Sequence, residues 1–333
     1  MLVPVYAFNK NYSTNMKTKI TIFLATALFF VAIFTACKKD NNNANNNDST
    51  ETEVAVQSND QSRFSSEVDA AVNDADFSIE NSAGFTSRIS QGQSLLPDSV
   101  CDANVVVNLA SDPKTITITY NGGNCWGTRT RTGTVIIAMA QGVKWSDPGA
   151  QVTLTFQDLK ITRVSDNKSI TINGTQTYTN VSGGLLINLL SLGSITHVIT
   201  SSNMSVTFDD GTQRLWNVGK QRVYTFAGSN VSVTITGTHT EGTVTNIAEW
   251  GTNRLGHEFT SATVQPVVMR SDCNFRIVSG EIKHTLPNVS ADATFGLDSN
   301  GNPTSCPGPT GHYYFKIVYT GSGGNSITLI MPY

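Results

Sequence analysis

The sequence predicts an all-β protein, an antiparallel curved sheet or sandwich with scope for two related halves, preceded by one amphipathic helix. Three observations carry this. From about Ser99 onward apolar residues recur at every second position: Ile116, Ile118 and Tyr120, then Val152, Leu154 and Phe156, Ile170 and Ile172, and Val231, Val233 and Ile235. The intervening positions are mostly threonine, as a half-buried pleated surface favours. Turn signals punctuate the runs at Asn121-Gly122-Gly123, Asp147-Pro148-Gly149, Asn173-Gly174, Asp209-Asp210-Gly211 and Asn300-Gly301. Only 14% of the residues are charged, so the polar faces are made of Thr, Ser and Asn. Strict alternation with tight turns implies antiparallel strands with one wet face, not the buried parallel strands of an α/β fold.

The N-terminal segment is of another kind. Met16-Lys17-Thr18-Lys19 supplies a positive start, Ile20 to Ala36 is an uncharged apolar run, and Thr35 and Ala36 precede Cys37. This is the layout of a secretory signal over residues 1–36, with Met16 as the expected true start. The apolar run sits near the lower limit for crossing a bilayer, roughly 17 residues. Phe34-Thr35-Ala36-Cys37 resembles the lipobox of bacterial lipoproteins, with Phe34 in the place usually held by Leu. The resemblance implies that Cys37 is acylated, becomes the N-terminus and anchors the protein to the outer membrane. Each buried methylene contributes about 0.8 kcal/mol, so several acyl chains make a stable anchor. Lys38 suits outer-membrane delivery in that scheme, and Lys38-Lys39-Asp40 partly resembles a surface-export signal, which leaves both the periplasmic and the cell-surface face open.

Residues 37–60 are rich in Asn and poor in large apolar side chains, and are expected to form a disordered tether. Residues 61–98 hold a helix and linker. Phe64, Val68, Ala71, Val72 and Ala75 share one face of a helix over about Ser62–Phe77, with Glu67, Asp69, Asp74 and Asp76 assigned to the wet side. The β-domain then runs over residues 99–333. One stretch in it breaks the alternation, Leu185 to Leu192, expected as a short buried helix or an end plug, with a lipid-lined cavity as the sharper alternative. Two similar segments, Ile116–Cys125 and Phe295–Cys306, each lead through a Gly turn into another strand. Gly133, Gly174, Gly237 and Gly280 lie inside strands and predict bulges where a sheet bends.

A paired-Cys turn, Arg131–Val135 (RTGTV), Thr171–Asn180 (TINGTQTYTN), Asp209–Trp216 (DDGTQRLW), Thr234–Thr238 (TITGT) and Cys273–Ile282 (CNFRIVSGEI) together resemble a group of uncharacterised β-rich lipoproteins from Bacteroidetes-type envelopes. The resemblance spans roughly Cys101 to Tyr333. It implies a fold and a location, and brings no catalytic residue with it.

Apart from Cys37, an even set remains: Cys101, Cys125, Cys273 and Cys306. In an exported protein these read as disulfides. Four cysteines allow three connectivities; Cys101 with Cys125 and Cys273 with Cys306 is favoured because each pair brackets a hairpin, a closure contributing about 3–4 kcal/mol. Zinc would ask for Cys-x-x-Cys spacing, which is absent.

The chemistry-bearing motifs are missing. There is no Gly-x-Ser-x-Gly elbow, His-Glu-x-x-His, Walker loop or dinucleotide fingerprint. His197, His239, His257, His284 and His312 are scattered and expected on sheet surfaces. Asp166, Asp209 and Asp210 are expected to cap hairpin turns, and Asp298-x-Asn300-Gly301 reads as a turn, not a calcium loop. Hence no catalytic, cofactor-binding or metal residue is assigned and no cofactor is expected. A net charge of −3 without a basic stripe excludes nucleic acid as a partner. Trp126, Trp145, Trp216 and Trp250 either fill the core or stack on sugars. The function expected is a non-enzymatic binding or structural component of the outer envelope, partnered by the membrane and by a glycan or an envelope protein. A carbohydrate-binding or carbohydrate-active protein with unmotifed acids is one alternative, and a carrier of a lipid or other hydrophobic ligand is another.

Overall fold

A computed structural model describes residues 47–86, 100–124, 127–227, 230–273, 276–306 and 313–332. Cys37 and the signal segment, Cys125, Trp126 and His312 lie outside them. The helix α1 (Asn47–Asn81) is followed by fifteen strands. These are β1 (Ala103–Asn108), β2 (Lys114–Gly123), β3 (Arg129–Met139), β4 (Ala150–Arg163), β5 (Ser169–Asn180), β6 (Ser194–Phe208), β7 (Gln213–Ala227) and β8 (Asn230–Gly237). They continue as β9 (His239–Glu241), β10 (Val244–Thr252), β11 (Glu258–Arg270), β12 (Arg276–Leu286), β13 (Val289–Leu297), β14 (Tyr314–Thr320) and β15 (Ser326–Pro332). The all-β expectation with one N-terminal helix holds, and the described strands form one antiparallel sheet.

Its order is β1 to β7, then β10 to β15, every neighbour antiparallel. Between β7 and β11 one slot is shared end to end. β10 fills the half opposite Leu215–Val218, and β8 fills the half opposite Lys220–Ala227. The two similar segments of the sequence begin on β2 and β13, near opposite edges of this sheet.

The sheet curls around α1. β2 and β13 are second and eleventh in the strand order, yet both approach the helix backbone closely. On a flat sheet they would stand roughly 40 Å apart at about 4.8 Å per strand. Ala291 and Ala293 on β13 are buried and small enough for this approach. Phe64, Val68, Val72, Ala75 and Ile79 of α1 then join Ile116, Ile118, Val135, Ile137, Leu154, Phe156, Ile172, Val206 and Trp216 in one core. Burial of that apolar surface is the main favourable term for the fold, at about 25 cal/mol per Å².

Curvature comes from the strand glycines. Gly133 adopts φ +98° opposite a register shift between β3 and β4, where Asp158 also has positive φ, 47°. A Cβ on Gly133 would lie 2.1 Å from the Asp158 carbonyl oxygen, so backbone occupies the space a side chain would need. Gly174 (φ +127°) sits at the register shifts of β5 with both β4 and β6. Asn173-Gly174 is therefore a bulge inside a strand and not a turn. Asn121-Gly122-Gly123 likewise ends β2 as paired strand. The reversal itself is built by Asn124, whose Oδ1 accepts from the Thr128 and Arg129 amides.

The helix departs most from expectation. It starts at Asn47, so much of the segment read as a disordered tether is helical. Its early turns are held by polar groups of the sheet rather than by an apolar stripe, and periodicity has no signal for that. Leu185–Leu192 forms a 3-10 turn (Leu186–Asn188) and a short helix α2 (Leu189–Leu192). Leu185 joins the main core, and Leu189 packs with Ile195, Tyr224 and Val233 in a satellite cluster. Ile187, Leu190 and Leu192 are exposed.

If bulge geometry sets the curvature, Gly133→Ala should cost about 3 kcal/mol or more in chemical unfolding. Gly142→Ala, also at positive φ (78°) but with nothing within 4 Å of its Cβ, should cost only about 1 kcal/mol. Equal losses would contradict this account.

Candidate functional site

Most of the buried charged residues gather where α1 faces the sheet. Of the acids expected to face water, Glu67 is buried and Asp74 and Asp76 are half-buried in this interface, because the sheet closes round the helix on several sides, while Asp69 keeps 44% of its side chain exposed. Arg131 on β3 is its first centre. Its Nε and Nη2 donate to both oxygens of Asp102 (2.6 and 2.5 Å), and its Nη1 donates to Asp74 Oδ2 at 2.7 Å. The Tyr120 hydroxyl donates to the same Asp74 oxygen at 2.8 Å, and the guanidinium lies 4.2 Å above the Tyr120 ring. Burial opposes the Arg131 charge, but its hydrogen bonds to Asp102 and the charges of the other neighbours outweigh it and its pKa is raised. Burial, with Asp74 adding to it, pushes the Tyr120 hydroxyl well up. Beside this centre, Arg129 pairs with Glu67.

Arg222 on β7 is the second centre. It donates to Asp69 Oδ1 (2.5 Å) and to the Tyr178 hydroxyl (3.1 Å). His197 is buried beside it, its ring 5.2 Å from Trp145, 5.7 Å from Tyr178 and 5.2 Å from Tyr224. Burial, aided by Arg222, pushes the imidazole down to about 4, so it is neutral at ordinary pH. Asp76 titrates in the opposite sense. Burial raises its carboxyl to about 7, with Glu80 adding to the rise and Arg222 opposing it. Toward β10, Lys220 pairs with Glu249, which also accepts from Ser65 Oγ at 3.0 and 3.2 Å.

Sequence reasoning also missed a serine–histidine contact. Ser261 Oγ and His284 Nδ1 are 2.7 Å apart. Burial holds His284 down at about 4, a weak base, and Ser261 is 3% exposed. A nucleophile must be reached by substrate, and this one is sealed. The cavity between α1 and the sheet, lined by Ser65, Asp69, Gln176, Trp216 and Lys220 among others, is about 10 Å³. That is space for one water.

The remaining expectations sort plainly. Cys273 and Cys306 form a disulfide with Cα atoms 5.4 Å apart. Cys101 is disulfide-bonded, while its expected partner Cys125 lies outside the described residues. Among the described residues one grouping has metal-ligand geometry, Asp272 with Cys273 and Cys306, and its two sulfurs are taken up by the disulfide. Trp145 and Trp216 fill the core. Trp250 is half-buried and stacks on His239 at 3.8 Å and 12°. His257 reaches Glu53 at 2.6 Å. Of the five histidines expected on sheet surfaces, His197 is instead a core residue and His284 is hydrogen-bonded inside. Asp166, Asp210 and Asp298 do cap turns, each accepting the amide two residues on.

No protein-family model, curated protein or solved structure matches this chain.

The two opposed shifts give a pH signature. His197 and His284 have lowered folded pKa values, so their contribution is present above about pH 6.5 and is lost as pH falls through about 4. Asp76 has a raised one, so its contribution is present below about pH 3.8 and is lost as pH rises through about 7. Asp76→Asn removes only the second trend. Its Tm relative to the wild type should climb steadily from pH 4 to 7 and then level off. A pH-independent offset would contradict the placement of Asp76.

Proposed function

We propose that this protein is a lipid-anchored component of the outer envelope that acts by binding or by structural support, not by catalysis. The observation that carries the proposal is how the described residues fill the concave side of the sheet. The helix occupies the concave side, its Asp60, Glu67 and Asp74 are paired with basic residues of the sheet and its turns, and the cavity beside it is about 10 Å³. Such an interior favours action through the outer face and the loops. The leucine stretch weighs against a lipid carrier, since it divides between core and solvent.

The anchor rests on Phe34-Thr35-Ala36-Cys37, ten positions ahead of the start of α1. Acylation at Cys37 would place the membrane at the N-terminal end of a structural helix.

A second, carbohydrate-binding reading is favoured by Trp250. Its neighbour Glu249 points inward to Ser65 and Lys220, so alternation turns Trp250 to the outer face. There it is half-exposed in a parallel stack with His239, an aromatic pair on which a sugar ring can lie.

Palmitate labelling of cells producing the wild type or Cys37→Ala tests the anchor. Label on the wild type and none on the variant is expected, and an unlabelled wild type would overturn the lipoprotein. Protease shaving of intact cells then reports which face carries the domain. A glycan array with the wild type and Trp250→Ala tests the sugar reading, in which at least ten-fold weaker binding is expected of the variant. No binding by the wild type would dismiss it.

A further inference from the structure

Helix α1 is held in two unlike ways, and the change comes at Phe64. From Phe64 to Ile79 it is docked by buried apolar side chains, Phe64, Val68, Ala71, Val72, Ala75 and Ile79, each at most 2% exposed. Before Phe64, no residue whose side chain is described belongs to the apolar core, and Val56 is exposed. That half is held by polar contacts to one end of the sheet. Glu53 Oε1 accepts from Asn253 Nδ2 (2.6 Å) and lies 2.6 Å from His257 Nδ1. Asp60 takes a two-pronged bond from Arg254 (2.7 and 2.5 Å), whose guanidinium lies 3.6 Å over the Phe208 ring. Gln61 Oε1 accepts from Arg214 at 2.6 Å, and Arg63 donates to the Lys168 carbonyl at 2.8 Å.

This docking also carries a cost. Gln57 is 1% exposed with neither amide atom hydrogen-bonded, and Nε and Nη1 of buried Arg214 are likewise unmatched. Buried polar groups without partners recover their hydrogen bonds only when water reaches them. Among its described side chains, the N-terminal half therefore gains little apolar burial on docking and gives up solvation. The C-terminal half has the reverse balance.

We propose that Asn47–Arg63 is a releasable strap, which detaches and loses its helix as one unit while Phe64–Asn81 stays docked. Locally unfolding units of this kind, with free energies below that of the whole molecule, are general in folded proteins. The strap's contacts are ionic or ion–dipole. Glu53 with His257 and Asp60 with Arg254 each keep one partner open to solvent, where salt loosens them, while the Gln61–Arg214 contact is buried and screened little. Resting on the lipid-anchor reading, release has a mechanical consequence. A helical residue spans about 1.5 Å and an extended one about 3.4 Å. Paying out these seventeen residues would lengthen the membrane tether by roughly 30 Å.

Amide hydrogen exchange on the whole chain, followed by mass spectrometry at 50 and 500 mM NaCl, tests the strap. Amides 50–62 should exchange at least about ten-fold faster than amides 66–79, and several-fold faster again in high salt, with 66–79 unchanged. Arg254→Ala should speed 50–62 by about ten-fold and leave 66–79 and the sheet alone. Those amides report whether the variant is folded, and the wild-type salt series stands without it. Exchange of 50–62 and 66–79 at one common rate in both salts would show that α1 opens as a single unit and would overturn the proposal. That failure leaves the anchor untouched, since palmitate labelling reads the anchor independently.

Discussion

A curled sheet has a concave side that must be filled, and here a helix fills it that is acidic on more than one face. That constraint governs the rest of the structure. An amphipathic helix lying on a flat sheet could turn its acids to water. A helix wrapped from β2 round to β13 cannot, so a carboxylate drawn inside needs a donor from the sheet or the turns that join its strands. Arg131 meets Asp74 and Asp102, Arg129 meets Glu67, Arg222 meets Asp69, and Arg254 meets Asp60. An ionised carboxylate left buried without such a partner is costly. The exception is informative: among the described residues Asp76 has no ion-pair partner, and it holds its proton to about pH 7 instead.

The sheet was legible in the sequence because alternation is a local property. Inward and outward positions follow from one residue to the next, and threonine marks the wet ones. The glycines were legible as bending points for the same reason, since a Gly within an alternating run signals a bulge. Asn173-Gly174 shows where this stops. The same dipeptide serves a turn or a bulge, and only the strands on either side, β4 and β6, decide which.

The site was much less legible, although part of the signal was present. His197 shares its parity with Ile195 and Ile199, Arg214 with Trp216 and Val218, and Arg222 with Val218 and Tyr224. All of these face inward. A charged or imidazole side chain at an inward position was thus a sign of a partner arriving from elsewhere. What that partner is could not be read locally. Arg131 and Asp74 are 57 positions apart, and Asn253 and Glu53 are 200. The start of α1 was missed for this reason, because its first half is specified by distant polar groups and not by its own apolar spacing.

The central claim is that acids of α1 are paired with bases of the sheet inside the fold, and a double-mutant cycle on Asp74 and Arg131 tests it most directly. Stabilities of the wild type, Asp74→Ala, Arg131→Ala and the double variant are measured by chemical unfolding. A buried, hydrogen-bonded pair predicts a coupling of about 1–3 kcal/mol, with the double variant losing less than the two single losses added together. Additive losses, with a coupling within about 0.3 kcal/mol of zero, would mean that Asp74 faces water and that the helix does not sit inside the sheet as described.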